Sequence, residues 1–294
     1  MTDRHTAPQP GATPQETPRE TPSADGLRLE HRGAIAVLTI DNPPANTWHE
    51  GSLKALADHL DALAAEPQPP ALVITGAGDK FFSAGADLKR FTEGKATALE
   101  MATRFGRAFE TLSAYPGVTI AAINGYAMGG GLECALACDI RIAERQAQLA
   151  LPEAKVGLLP CAGGTQHLPW LVGEGWAKRM ILCGERIDAE RALTIGLVEE
   201  LVDAGQAFAS ALELAERSTG QSPQALDRCK RLIMNARDHG LPHGYRMERE
   251  LFMELFDTAA PGEGIGAFLD KRPPRWREDP TPGAGDDSRD GDQA

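Results

Sequence analysis

Val118-Thr119-Ile120-Ala121-Ala122-Ile123, followed by Asn124-Gly125-Tyr126-Ala127-Met128-Gly129-Gly130-Gly131-Leu132-Glu133, is the stretch on which the fold turns. Its first half is a continuous apolar run, the pattern of a strand buried on both faces, and its second half sets three consecutive glycines where a helix should begin. Glycines carry no side chain to shield the backbone, so a ligand oxygen can approach the free N–H groups of the first helical turn, where the helix dipole is positive. That geometry suits a developing anion. A tight strand-to-helix turn with no ligand uses the same glycines, and the stretch by itself leaves both readings open.

Outward from it, the same plan recurs. Residues 71–75 form another buried apolar run ending at Gly76, and the loop Phe82-Ser83-Ala84-Gly85-Ala86-Asp87-Leu88 follows. Alternation over 27–31, then Gly33 and the apolar run 34–40, predicts a hairpin closed by Asp41-Asn42-Pro43-Pro44. Leu53, Leu56, Leu60 and Leu63 recur at helical spacing and stop before Pro67; Met101, Phe105, Ala108, Phe109 and Leu112 do so before Pro116-Gly117. Short strands are expected at 139–143, 148–151 and 197–202, and helices at 209–218, 223–236 and 245–257. Strands interleaved with helices, then helices alone, make this an α/β fold.

Of the 294 residues, 42% are hydrophobic and 24% charged, which fits a globular chain with a full core. The longest apolar runs fall far short of the roughly 20 residues a bilayer span needs, so no membrane association is expected. Residues 1–26 and 273–294 are rich in Pro, Gly, Asp, Thr and Ser and are expected to be disordered tails. They carry ten acids and five bases, so of the formal charge of −12 the segment between them keeps −7, which opposes a nucleic-acid partner. That segment divides into a core over 27–205 and a helical region over 206–272. Five scattered cysteines read as reduced thiols packed in apolar surroundings, and the N-terminus lacks the apolar stretch of a secretory signal; a cytoplasmic location is expected.

Dinucleotide and P-loop fingerprints are absent, the segment around Ser83 lacks the first glycine of a nucleophile elbow, and the scattered histidines form no metal motif, so no metal is expected. Two carboxylates remain. Glu133 lies three residues past Gly130, on the same side of the first helical turn, and Glu153 follows Pro152 at the end of a strand; both have small apolar neighbours. Burial raises a carboxyl pKa toward neutrality, which suits general acid/base work, whereas a solvent-facing charge is the ordinary use of a glutamate.

Together with Cys138-Asp139-Ile140-Arg141-Ile142-Ala143 and Gly157-Leu158-Leu159-Pro160-Cys161-Ala162-Gly163-Gly164-Thr165-Gln166, these stretches resemble the crotonase, or enoyl-CoA hydratase/isomerase, family over nearly all of 27–276. The resemblance implies a spiral of ββα units with a C-terminal helical trimerisation region, assembled as a homotrimer or a dimer of trimers. It implies an acyl-CoA thioester as substrate, with no separate cofactor. By motif match, the amides of Ala86 and Gly130 polarise the thioester carbonyl, and Ala45, Ala84, Ala86, Asp87, Leu88, Tyr126, Gly129 and Gly130 contact the CoA thioester. Glu133 and Glu153 align with the pair that marks hydratases: Glu133 activates water and Glu153 gives a proton to C2.

The expected reaction is addition of water to a trans-2-enoyl-CoA. A double-bond isomerase or decarboxylase on the same scaffold is the alternative, and an RNA-binding relative without catalysis a weaker one. The chain departs from the usual pattern at Cys161, where glycine is common, and at His167, where arginine is. Trp48 falls in a region that in relatives lies near CoA, though a partly buried core position suits it as well, and Lys271 and Arg272 are expected either to meet a CoA phosphate from a neighbouring subunit or to be solvated charges.

Overall fold

The computed structural model describes residues 19–24 and 26–276. The strands and helices run β1 Arg19–Ala24, β2 Leu27–Arg32, β3 Ile35–Ile40, α1 Glu50–Ala64, β4 Ala71–Gly76, β5 Phe81–Ser83, α2 Lys95–Ser113, β6 Thr119–Ile123, β7 Tyr126–Met128 and α3 Gly130–Ala137. They continue with β8 Ile140–Glu144, β9 Gln148–Ala150, α4 Gly164–Leu182, β10 Ile187–Asp188, α5 Ala189–Thr194, β11 Glu200–Val202, α6 Ala207–Thr219, α7 Pro223–Asp238, α8 Leu241–Leu255 and α9 Ala260–Leu269. Two 3-10 helices, Leu88–Glu93 and Glu153–Val156, lie between.

Two sheets organise the core. Seven strands run in the order β1-β2-β3-β4-β6-β8-β11, antiparallel through β3 and parallel beyond it; four more run β10-β9-β7-β5. The units β4-β5-α2, β6-β7-α3 and β8-β9-α4 each give one strand to each sheet and then a helix, which is the expected ββα repeat.

The continuous apolar runs have a simple cause: the large sheet is covered on both faces. In β3, Ile35 and Val37 join Ala71, Val73, Ile120 and Ala122 against α6, whose Ala207, Ala211 and Ala215 form a flat stripe at four-residue spacing. Ala36, Leu38 and Ile40 face the other way, into a cluster that takes in Leu53, Leu56 and Leu60 of α1 and Phe105 and Phe109 of α2. His49 caps α1: its Nδ1 accepts from the Ser52 amide while the Ser52 hydroxyl accepts from the His49 amide.

Buried polar side chains set the strand ends. Asn124 Nδ2 donates to the carbonyls of Gly76 (2.9 Å) and Gly78 (2.7 Å), and its Oδ1 accepts from the Gly76 amide (3.2 Å). Asn46, at φ 53°, donates to the carbonyls of Ala77 and Phe81.

The expected edges of the folded part need correcting. Within 1–26, Arg19–Ala24 forms a strand antiparallel to β2; main-chain pairing at a sheet edge needs no apolar sequence, so composition hid it. At the other end, residues 273–276 are anchored: the Trp276 indole donates to the Gly220 carbonyl, and Gln68 donates to the Trp276 carbonyl. Residues 1–18 and 277–294 of the expected tails lie outside the described residues. Of the five thiols, Cys134 and Cys138 are buried as expected, but Cys161, Cys183 and Cys229 are exposed because they fall on a loop, a helix C-cap and a helix, α7, none of whose residues is buried. Among the described residues, no helix is long and apolar enough to cross a membrane.

Candidate active site

The two glycine loops meet main chain to main chain. A Cβ on Gly131 would lie 2.2 Å from the Ser83 carbonyl oxygen, and one on Gly85 would lie 2.7 Å from the Met128 oxygen and 3.1 Å from the Gly130 nitrogen. Gly85 also holds φ +90°, so both its conformation and its neighbours require glycine. The first loop is laced to the segment before α1: Trp48 N donates to the Gly85 carbonyl and Asp87 N to the Trp48 carbonyl. Between them the Ala86 N–H makes no hydrogen bond among the described residues, and neither does the Gly130 N–H at the start of α3. Both residues line one cavity of about 650 Å³, bounded by α2 on one side and residues 152–161 on the other.

Glu133 and Glu153 line it too, and their settings differ. Glu133, only 3% exposed, is held by Oε1, which accepts from the amides of Ala162 (2.8 Å) and Gly164 (2.9 Å) at the N-terminus of α4. Burial pushes its pKa up, and the two amides partly restrain the rise. Glu153 opens the second 3-10 helix. Its Oε2 is buried with no partner among the described residues, and its Oε1 lies 2.9 Å from where a Gly129 side chain would begin. Burial, opposed by its own amide and reinforced by the Glu133 charge, pushes its pKa up to about 7. The site therefore sets two amide donors with no partner among the described residues beside two carboxyl groups whose pKa values burial raises, that of Glu153 to about 7.

Of the residues expected to contact CoA, Ala84, Ala86, Leu88, Gly129 and Gly130 line the cavity. Ala45, Asp87 and Tyr126 do not: the Ala45 carbonyl accepts from Ala84 N, the Asp87 carboxylate caps the 3-10 helix at Lys89 N, and Tyr126 packs against Phe81. Trp48 is fully buried edge-on to Phe109, a core residue that steers the Ala86 loop through its main chain. Arg272 is engaged by Glu263, with Nη1 at 2.7 Å. Cys161 stands in the cavity wall, its thiol pushed up to about 11 by burial and then by Glu133 and Glu153. His167 Nδ1 meets Arg237 Nη1 at 3.2 Å, and burial first, then Arg237 and Arg141, lower its pKa. Sequence reading missed the amides of Ala162 and Gly164 that hold Glu133. The paired glycines at 163 and 164 were the available signal, since Gly163 takes φ +99° and a Cβ on Gly164 would lie 2.9 Å from Glu133 Oε1.

Comparison with known proteins places this geometry. The profile of the enoyl-CoA hydratase/isomerase family matches residues 30–279. A probable enoyl-CoA hydratase of Bacillus subtilis (strain 168) is 39% identical over 246 residues, 83% of this chain and 95% of its own length. The 2,3-dehydroadipyl-CoA hydratase of Escherichia coli (strain K12) is 38% identical, covering 85% of this chain and 98% of the relative. Among solved structures, Pseudomonas aeruginosa DspI superposes with a TM-score of 0.85 at 60% identity, covering 87% of this chain and 98% of that one. A Bacillus anthracis enoyl-CoA hydratase gives 0.81 at 35%, with 85% and 98% coverage. The ββα spiral, the paired glycine loops and the sequence likeness agree, and the chain belongs to the enoyl-CoA hydratase/isomerase family.

Proposed function

We propose that the chain hydrates a trans-2-enoyl-CoA to the 3-hydroxyacyl thioester. The observation that carries this reading is the pairing, in one cavity wall, of two buried glutamates, one clamped by amides and the other raised to about 7, with two amide donors that have no partner among the described residues. The thioester oxygen sits between the Ala86 and Gly130 N–H groups. Ionised Glu133 accepts a proton from water as the hydroxyl oxygen bonds to C3. The C2–C3 π pair moves toward the carbonyl, placing negative charge on the oxygen the amides hold. Protonated Glu153 then delivers its proton to C2, and exchange with solvent resets both acids. Loss of one such amide donor costs about 10² to 10³ in rate in acyl-transfer enzymes, so the pair contributes a large share of the stabilisation. The reaction is redox-neutral and its protons come from water and carboxyl groups, so its chemistry calls for no cofactor beyond the thioester itself.

Assembly as a homotrimer or a dimer of trimers accords with the apolar surface of the last helices, where Phe252, Met253, Phe256, Phe268 and Leu269 are all more than half exposed. A reducing cytoplasm suits three exposed free thiols. Purified protein mixed with crotonyl-CoA is expected to consume the absorbance of the conjugated double bond and yield 3-hydroxybutyryl-CoA. Conversion of 3-enoyl thioesters without hydration of 2-enoyl ones would instead identify an isomerase.

A further inference from the structure

Away from the glutamates, the cavity changes character. Phe105, Ala102 and Ala98 lie on one face of α2 at spacings of three and four residues. The Phe105 ring sits 2.8 Å from where a Gly130 side chain would begin, so it floors the amide end. From there Ala102 and Ala98 lead outward, and seven residues of helix measure about 10 Å. The facing wall carries Val156, Leu158 and Leu159, which are 55%, 38% and 66% exposed. Large apolar side chains left open around a cavity gain by covering a ligand.

Polar partners are scarce along this path. The ionisable residues of the wall are Glu133, Glu153, Cys161 and Lys155, and the first three belong to the reacting end. Lys155 is drawn aside over Gly184, where a Cβ would lie 2.5 Å from its Cε. An amide-bearing arm laid here would lose its hydrogen bonds to water, and a terminal carboxylate would have only the deflected Lys155 ammonium to meet. An alkyl chain loses nothing. At about 1.25 Å per bond of a zigzag chain, 10 Å takes about eight carbons beyond the reacting ones.

Resting on the hydratase reading, we infer that this branch is an alkyl channel. It covers neutral, unbranched acyl chains out to about ten to twelve carbons, with Ala102 and Ala98 keeping the path open by being small. A side chain larger than alanine at 102 blocks the channel part-way, and one at 98 shortens its outer end.

Two measurements on the full chain decide this separately from the chemistry. Calorimetric binding of saturated thioesters requires no turnover. Each buried methylene is worth about fourfold in affinity, so decanoyl-CoA is expected to bind at least about thirtyfold more tightly than butyryl-CoA, even with partial burial. Adipyl-CoA is expected to bind no better than butyryl-CoA. Ala102→Phe should cut the decanoyl-to-butyryl affinity ratio at least about tenfold; Ala102→Val, a smaller change that the fold tolerates more easily, and Ala98→Leu should each cut it severalfold. Equal affinities across chain lengths, a preference for adipyl-CoA, or an unaltered ratio in all the variants overturns the channel. Second, kcat/KM across 2-enoyl thioesters of four to fourteen carbons should rise up to about ten to twelve and gain little beyond. A peak at crotonyl-CoA defeats the channel and leaves the hydratase reading intact. Length-dependent binding without hydration at any length defeats that reading and leaves the channel standing.

Discussion

Glu133 and Glu153 share a cavity and a residue type, yet the chain supports them in opposite ways. Glu133 rides on α3, packed over backbone, with two amides of the next helix clamped on one oxygen. Glu153 begins a single 3-10 turn, with one buried oxygen left unpaired. Both pKa values rise by burial, but Glu133 has two amides of the next helix favouring its charged form where Glu153 has only its own, so Glu153 is carried to about 7 and is the better proton donor near neutrality. Under the proposed reaction, environment rather than side-chain chemistry separates the base from the acid.

The largest test of that contrast is the pair of amide substitutions. Glu133→Gln keeps a carbonyl oxygen for the Ala162 and Gly164 amides, and Glu153→Gln keeps the shape of an unpaired group. Each is expected to lower kcat for crotonyl-CoA hydration by about 10² to 10⁴ while thioester binding persists; near wild-type turnover in both would refute the assignment. Next in size, the Glu133 side rests on main chain that cannot give. Gly131→Ala drives a methyl to 2.2 Å from the Ser83 oxygen and should cost about 3 kcal/mol, seen as a fall of roughly 10 °C in Tm.

The pH profile sharpens the comparison further. With Glu153 as the proposed proton donor, present in its acid form below about pH 7 and lost above it, kcat/KM should fall about tenfold per unit on the alkaline side, with the acid limb set by protonation of Glu133. An alkaline limb absent up to pH 9 would separate Glu153 from proton delivery. The smallest effect is on stability. A carboxyl raised from 4.5 to about 7 on folding contributes stability that is full below pH 4.5 and lost as pH rises through 7. Glu153→Gln should therefore melt roughly 2 to 4 °C above the wild type at pH 8, with the gap closing by pH 4.5. Glu133→Gln should gain less, because its amide clamp already favours the charge. Equal gains would erase the distinction.

How much of this was legible in the sequence depended on where the signal lay. The long strands β3, β4 and β6, and the helices α1, α2, α6, α7 and α8, follow from apolar periodicity that burial on fixed faces imposes. Of the second sheet only β9 was read, as the strand expected at 148–151. Its strands β5 and β7 are three residues each and lie inside the glycine loops, where turn chemistry masks pairing. Helix α4 escaped for a related reason: Pro169 lies within it, and Gly173, at φ 76°, breaks its middle. The residue types of the site were legible in Glu133, Glu153 and the glycines. The clamp on Glu133 was not, since main-chain donors leave no mark beyond the glycines that admit them.

Asn124 gives the two loops a common latch. Its carboxamide offers Gly76 one donor and one acceptor, as a neighbouring strand's peptide would, and so the end of β4 is tied to the chain that leads into the triple glycine. Loops joined this way are expected to open as one cooperative unit, so that amide protons on 76–86 and on 124–131 trade with deuterium at matched rates. The amide pair is then kept aligned by a clasp of asparagine rather than by the stiffness of either loop.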